Sequence, residues 1–410
     1  MRTFRAGLAA MAFGALFAAG CSQGGSAALA PVDTDPKAVE ALVAKLTTDN
    51  LKGKATAAAD IASVRDALPK EVSLTWGNLS FDAATGATVL TGVKLSPAGM
   101  DTVGIGIDEL RLYDFDAAFA KARLTGQRLT ETAPLASRID AKGVSAFGVA
   151  AMMNSMSSVE PPHADPASPT GPDDPTAPPA DFPSSTEPAF DFDTASPVFD
   201  KVDFSFGRII LNDIVLRTIE ATPAPAAAAA ATDPYSAMGP EAEAMFRGYV
   251  NVLRAFGVDT FAAYDMKGQL AMKQMGQAMD ISFGATSTGT RGWRGGDSDA
   301  SYIRDLSYQF NMTEGPMAPA MNMAYSIGYL GMEDLRFDKL YGYMAKGVTP
   351  PRTDTKLLSY GKYDFENQKL TIGGKDIMTV GAASLDARDF HWFIPTKITT
   401  SAKDAVFDIA

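Results

Sequence analysis

Apolar and polar residues alternate with a period of two through much of this chain. In residues 72–82, "VSLTWGNLSFD", Leu74, Trp76 and Leu79 lead to Phe81; in residues 103–116, "VGIGIDELRLYDFD", Val103, Ile105 and Ile107 are followed by Leu110 and Leu112. That period puts every second side chain on one face, so these stretches predict antiparallel strands with one buried face. "FDKVDFSFGRIILNDIVLRTIE" (199–220) reads as one long strand or a hairpin. From residue 261 onward, strand candidates follow one another: "YDMKGQLAMK", "MDISFGA", "YIRDLSYQFNM", "MAYSIGYLGMEDLRFDKLYGYM", "SYGKYDF", "KLTIGG", "ASLDARDFHWFI" and "AVFDIA". Three segments, "VGIGIDELRLYDFD", "FGVDTFAAYDMKG" and "YLGMEDLRFDKLYG", share a glycine, an acidic residue and then a strand, a loose recurrence that fits strands of similar length laid side by side.

Helical periodicity is rarer. Val39, Leu42, Val43 and Leu46 fall on one helix face, with Asp35 as N-cap and Pro36 at the first helical position. "ATAAADIASVRDAL" and "AAFAKARL" predict two further helices, and residues 241–256 an amphipathic one carrying Met245, Phe246, Tyr249, Val250, Val252, Leu253 and Phe256. Between about 155 and 197 the pattern stops. The segment is Pro-rich and acidic with few aliphatics, so it buries too little apolar surface to offset its ordering entropy and is expected to be disordered.

The expected organisation is therefore a leader (1–20), a tether (21–34), a helix with a first β region (35–150), a disordered acidic loop (151–198), a strand segment (199–220), an Ala/Pro linker (221–240), and a helix followed by the main β region (241–410). The fold class is mainly β: a layered antiparallel β structure with a few amphipathic helices and a long disordered insertion. Two separate β domains are the alternative.

Cysteine usage adds an address. The one cysteine is Cys21. Before it come Arg2 and Arg5, an apolar run over 8–19 too short to span a bilayer, and the small residues Ala18, Ala19 and Gly20. The ending "FAAGC" resembles the lipobox of bacterial lipoproteins, with Ala18 where leucine is commoner. That resemblance implies diacylglycerol on the Cys21 thiol, cleavage before it, and acylation of the new amine. Palmitate-type chains then hold the protein on the periplasmic side of a membrane, and Ser22, where aspartate would signal inner-membrane retention, points to the outer membrane. A plain secreted protein with one spare cysteine is the alternative.

The formal charge is −12, and residues 151–200 hold nine Asp/Glu and no Lys/Arg. Absence of a basic patch argues against nucleic-acid partners. Catalytic chemistry finds little footing. Ser326, in "AYSIG", and His391, in "DFHWFIP", are the one Ser/His pair that a hydrolase could use, but the strand pattern continues past Ser326 where the nucleophile elbow needs a helix. Asp297, Asp299 and Ser301 begin like a calcium loop, yet Tyr302 and Tyr308 stand where glycine and glutamate belong. Met317, Met321 and Met323 are soft ligands without a neighbouring His or Cys. No catalytic residue, metal or cofactor is expected.

Two clusters point elsewhere. Nine of the 19 methionines lie within 266–332, and eight of the 12 tyrosines within 302–363. Adaptable Met and amphipathic Tyr on strands line apolar grooves, so Met321, Met323, Tyr325, Tyr329, Tyr341 and Tyr343 are the candidate ligand contacts. Ordinary sheet packing is the competing reading. The pattern is similar, loosely, to β-rich envelope proteins. The expectation is a non-enzymatic, lipid-anchored envelope protein that binds lipid or an envelope protein through its β surface. A structural lipoprotein without ligand and a Ser326/His391 hydrolase are the alternatives.

Overall fold

The computed structural model describes residues 34–47, 51–125, 132–157, 197–217, 247, 250–251, 254–274, 276–315 and 319–408. Thirteen strands form one antiparallel sheet. β1 (Val72–Thr75) and β2 (Asn78–Asp82) lie end to end along one edge of β3 (Ala87–Pro97). The chain then meanders, each strand pairing with the next: β4 (Gly104–Tyr113), β5 (Ala133–Phe147), β6 (Val198–Leu216), β7 (Phe256–Gln274), β8 (Gln277–Arg294), β9 (Ser298–Met312), β10 (Met321–Leu335), β11 (Lys362–Ile372), β12 (Lys375–His391) and β13 (Ile394–Phe407). β5 pairs directly with β6 and β6 with β7, so the two β regions expected from sequence share one sheet.

The sheet is scored by two lines that cross it from strand to strand. Along the first, the ladders skip one or two opposed pairs: Gly92 faces Asp108, Asp108 faces Gly143, Gly207 faces Asp265, Thr286 faces Asp305, Gly328 faces Asn367 and Gly381 faces Asp404. Along the second stand Gly86, Asp114, Ser137, Asp213, Asp259, Gly292, Asp299, Asp334 and Gly361. On each strand from β3 to β11 the two positions are six residues apart, roughly 20 Å of extended chain. The second position met by the chain is always left-handed: Gly92, Asp114, Gly143, Asp213, Asp265, Gly292, Asp305, Asp334 and Asn367 have φ of 60, 50, 61, 45, 52, 67, 52, 57 and 55°. Only Gly, Asp and Asn occupy these positions, the residues that enter this region at least cost.

Each line folds the sheet. Side-chain alternation slips by one residue there, so Ile105, Ile107, Leu110 and Leu112 on β4, and Leu90, Val93 and Leu95 on β3, all line one cavity. Panels on either side of a line therefore face each other, and the sheet becomes a trough running across the strands.

Helices cover both faces. α1 (Pro36–Leu46) is capped by Asp35, whose side chain accepts from the Lys37 amide. It buries Val39, Val43 and Leu46 on the outer face against Ile210, Ala262, Ala300, Tyr302 and Tyr329. α2 (Ala58–Asp66) and α3 (Ala117–Leu124) pack against each other, and Ile61, Ala120 and Phe119 join the inner core with Leu90, Leu112, Leu135 and Ile214. Among the described residues no helix is long and apolar enough to cross a membrane.

Several expectations change. "DKLYGYM", read as strand, is helix α5 (Asp338–Lys346), ended by the left-handed Gly347. Its start is fixed from a distance: the Asp297 carboxylate accepts from the Phe337 and Asp338 amides. Helix α4 (Val149–Ser157) runs past residue 150, where the ordered region was expected to end. Of the two readings of residues 199–220, one long strand holds over 199–216. Residues 247, 250–251 and 254–255 are helical, and Phe256 already starts β7. The leader, the tether up to residue 33, Cys21, residues 158–196 of the acidic loop, the Ala/Pro linker and Met317 lie outside the described residues.

Candidate functional site

The inner face of the trough can be followed strand by strand through the ladder. One file runs Leu90–Leu110–Ala141–Ile209–Ala263–Thr288–Ile303–Leu330–Phe365–Ala383–Ala402, from β3 to β13. Its neighbour runs Leu112–Ile139–Leu211–Phe261–Thr290–Ser301–Met332–Tyr363–Leu385–Thr400. Across the first fold line the facing wall carries Phe204–Gly268–Phe283–Tyr308–Tyr325–Leu370–Met378–Phe407. Beyond it come Leu270–Ile281–Phe310–Met323–Ile372 and then Met272–Met279–Met312–Met321. None of these files contains a charged residue.

The charges are on the other side. One outer file reads Lys142–Arg208–Tyr264–Ser287–Arg304–Tyr329–Glu366–Ala382–Lys403. Arg208 forms a two-point pair with Asp140 at 2.9 and 2.6 Å. Arg304 forms another with Glu40 of α1 at 3.0 and 2.6 Å, and Lys37 reaches Glu366 at 2.7 Å. These bonds raise the pKa of Arg208, Arg304 and Lys37, keeping the cations charged. Both Arg304 and Lys37 also lie over the Tyr329 ring, 4.6 and 5.5 Å from its centre. Burial raises the Tyr302 and Tyr329 phenols above their usual range and lifts Tyr264 to about 12.

At the β3–β6 end the trough is partly roofed. Ile61 and Val64 of α2, with Leu74 and Phe115, partly cover a hydrocarbon-lined cavity of about 160 Å³ over Leu90, Leu110, Leu112, Ile139 and Leu211. On the facing wall, across the first fold line, Phe204 of β6, Met321 of β10, Ile372 of β11 and Phe407 of β13 are exposed on the inner face, Phe407 by 63%.

The sequence-derived contacts separate on this frame. Met321, Met323 and Tyr325 lie on the inner wall, and the Tyr325 hydroxyl donates to Gln368 at 3.1 Å. Tyr329 lies on the outer face, 2% exposed beneath α1. Tyr341 and Tyr343 are on α5; Tyr341 stacks on Phe337, and the Tyr343 hydroxyl donates to Asp354. Sequence reading missed the larger part of the trough, the aliphatic files of β3–β7; the step from Ile107 to Leu110 was the signal for it.

Ser326 and His391 are not brought together. Ser326 is in an outer file with Ser307, Lys369 and Thr379, and His391 ends β12, twelve residues beyond Thr379. Asp297 caps α5, Asp299 pairs with Arg336 at 3.0 Å, and the Ser301 hydroxyl donates to Thr290. Among the described residues no group of three His, Cys, Asp or Glu is placed to hold a metal ion. Compared with protein-family models, curated proteins and solved structures, the chain matches none.

Proposed function

We propose that this chain is a lipid-anchored envelope protein that holds hydrocarbon chains of a lipid in its trough, without catalysing a reaction. The observation that carries the reading is the partition of charge: the inner files hold no ionisable group except tyrosine until Ile372 meets Lys375 at the β11–β12 turn, while the outer files carry charges such as Arg208, Arg304, Glu366 and Lys403. A sheet needing only a packed core would close over its apolar face. Here the apolar face continues to exposed Phe204, Ile372 and Phe407 on the wall across the first fold line. Such a surface favours acyl chains and disfavours anything charged, because an unpaired charge brought into it loses its hydration. Residues 8–21 support the anchor: several acyl chains at roughly 0.8 kcal/mol per buried methylene make durable attachment.

Native mass spectrometry of the full chain, purified from a Gram-negative envelope, tests the reading. The expected spectrum carries a non-covalent adduct of phospholipid mass that is released on collisional activation. A bare protein mass, under conditions that preserve adducts on a known lipid carrier, overturns it.

A further inference from the structure

The turn between β12 and β13 carries Trp392, Phe393 and Ile394, with Phe393 41% and Ile394 63% exposed. The Trp392 indole donates to the Pro350 carbonyl at 3.0 Å, so the loop after α5 lies against this turn, and it adds Val348, 51% exposed. The Arg352 guanidinium sits 5.6 Å from the Trp392 ring centre. Arg352 and Lys397 are exposed, and neither 347–353 nor 390–397 contains an Asp or Glu, in a chain of net charge −12. The nearest acids are engaged or matched: Asp354 binds Lys339 and Tyr343, and Asp389 stands opposite Lys397 in the ladder. Behind the turn, Tyr341, Phe337, Tyr360 and Phe390 form a continuous aromatic file with ring centres 6.1, 5.5 and 5.1 Å apart.

We propose that this turn and its neighbouring loop are a membrane contact, placing Phe393 and Ile394 in the headgroup layer of an anionic bilayer with Arg352 and Lys397 at the lipid phosphates. Apolar side chains such as Phe393 and Ile394 bury at the boundary of headgroups and acyl chains, and cations beside them gain from the negative surface potential. A protein partner is the weaker occupant: a hairpin tip and one short loop offer little of the roughly 800 Å² per side that a stable protein interface buries. A bilayer needs only a few inserted side chains. The inference goes beyond the trough and does not depend on its ligand.

The test uses the full chain, Cys21 included, reconstituted into vesicles of phosphatidylcholine with phosphatidylglycerol. Phe393→Cys and, on the exposed β2–β3 turn, Ala84→Cys each receive an environment-sensitive fluorophore. Labelling of the wild-type chain reports separately whether the Cys21 thiol is free; if it is, the pair is repeated with Cys21→Ser. The label at 393 is expected to shift to the blue and to be quenched about threefold by brominated lipid, with the label at 84 unmoved. Replacing Arg352 and Lys397 by Glu is expected to remove the difference. Equal signals from 393 and 84 on membrane-bound protein, or a shift that survives the charge reversal on these vesicles, overturn the proposal.

Discussion

The carboxylate of Asp108 fills the space above Gly143: a Cβ built on that glycine would lie 2.0 Å from Asp108 Oδ2. The same arrangement recurs where Asp299 covers Gly292, again at 2.0 Å, and in polar form where the Thr286 hydroxyl donates to Asp305 at 2.8 Å. Gly143 is thus held by its left-handed φ and by its neighbour at once. Gly143→Val is expected to destabilise the protein by at least about 2 kcal/mol, since a β-branched residue must enter the left-handed region and displace a carboxylate. Asp265→Gly, which keeps the backbone freedom, is expected to cost less than Asp265→Val. Urea unfolding of the three variants at constant m-value checks the ranking.

Adjacent positions on β12 separate the two faces. Met378 is in an inner file and Thr379 in an outer one. Met378→Lys is expected to lower co-purified phospholipid about fivefold, because the ammonium would be desolvated in the occupied trough, and Thr379→Lys to leave it unchanged. Lipid extraction with phosphate assay reads both, and equal loss from the two variants would remove the trough as the binding surface.

Cys21→Ala is expected to leave the membrane fraction and to lose palmitate labelling in cells. Retained labelling would place the acyl chains elsewhere, and unchanged fractionation without labelling would show that the anchor is not covalent.

Alkaline pH is expected to loosen α1. The Tyr264 hydroxyl donates to the Val43 carbonyl at 2.9 Å, and burial lifts its pKa from 10.0 to about 12. In the unfolded chain the phenol ionises first, so the unfolded state binds fewer protons above that point. Stability therefore holds below pH 10, and falls between 10 and about 12. Tyr264→Phe is expected to cost about 1 kcal/mol at neutral pH through the lost hydrogen bond, and to flatten that fall. Denaturant midpoints measured across this range give the slope.

Much of the strand content was legible because alternation survives between the fold lines, and even the lines left traces: "DELRLYD", "DTFAAYD" and "DASYIRD" are all Asp pairs six apart. What could not be read was the parity change that each line imposes. Tyr325 and Tyr329, four residues apart, belong to one face of an uninterrupted strand. Gly328 lies between them on the first fold line and sends Tyr329 to the opposite face, under α1. α5 was missed for another reason. Its N-terminal amides are satisfied by Asp297, forty residues upstream, and no local capping residue announces it.

The fold lines are written into each strand separately, two small or acidic residues at a fixed spacing. Cross-section and length are therefore independent quantities in this architecture. Inserting one more hairpin with the same spacing would extend the channel by about 10 Å and leave its width and depth untouched. β5 and β6, and β6 and β7, pair along their lengths although far more chain separates them than the two residues, Gly373 and Gly374, between β11 and β12. A lineage could set the reach of such a protein by counting hairpins, as one sets the length of a gutter by adding sections.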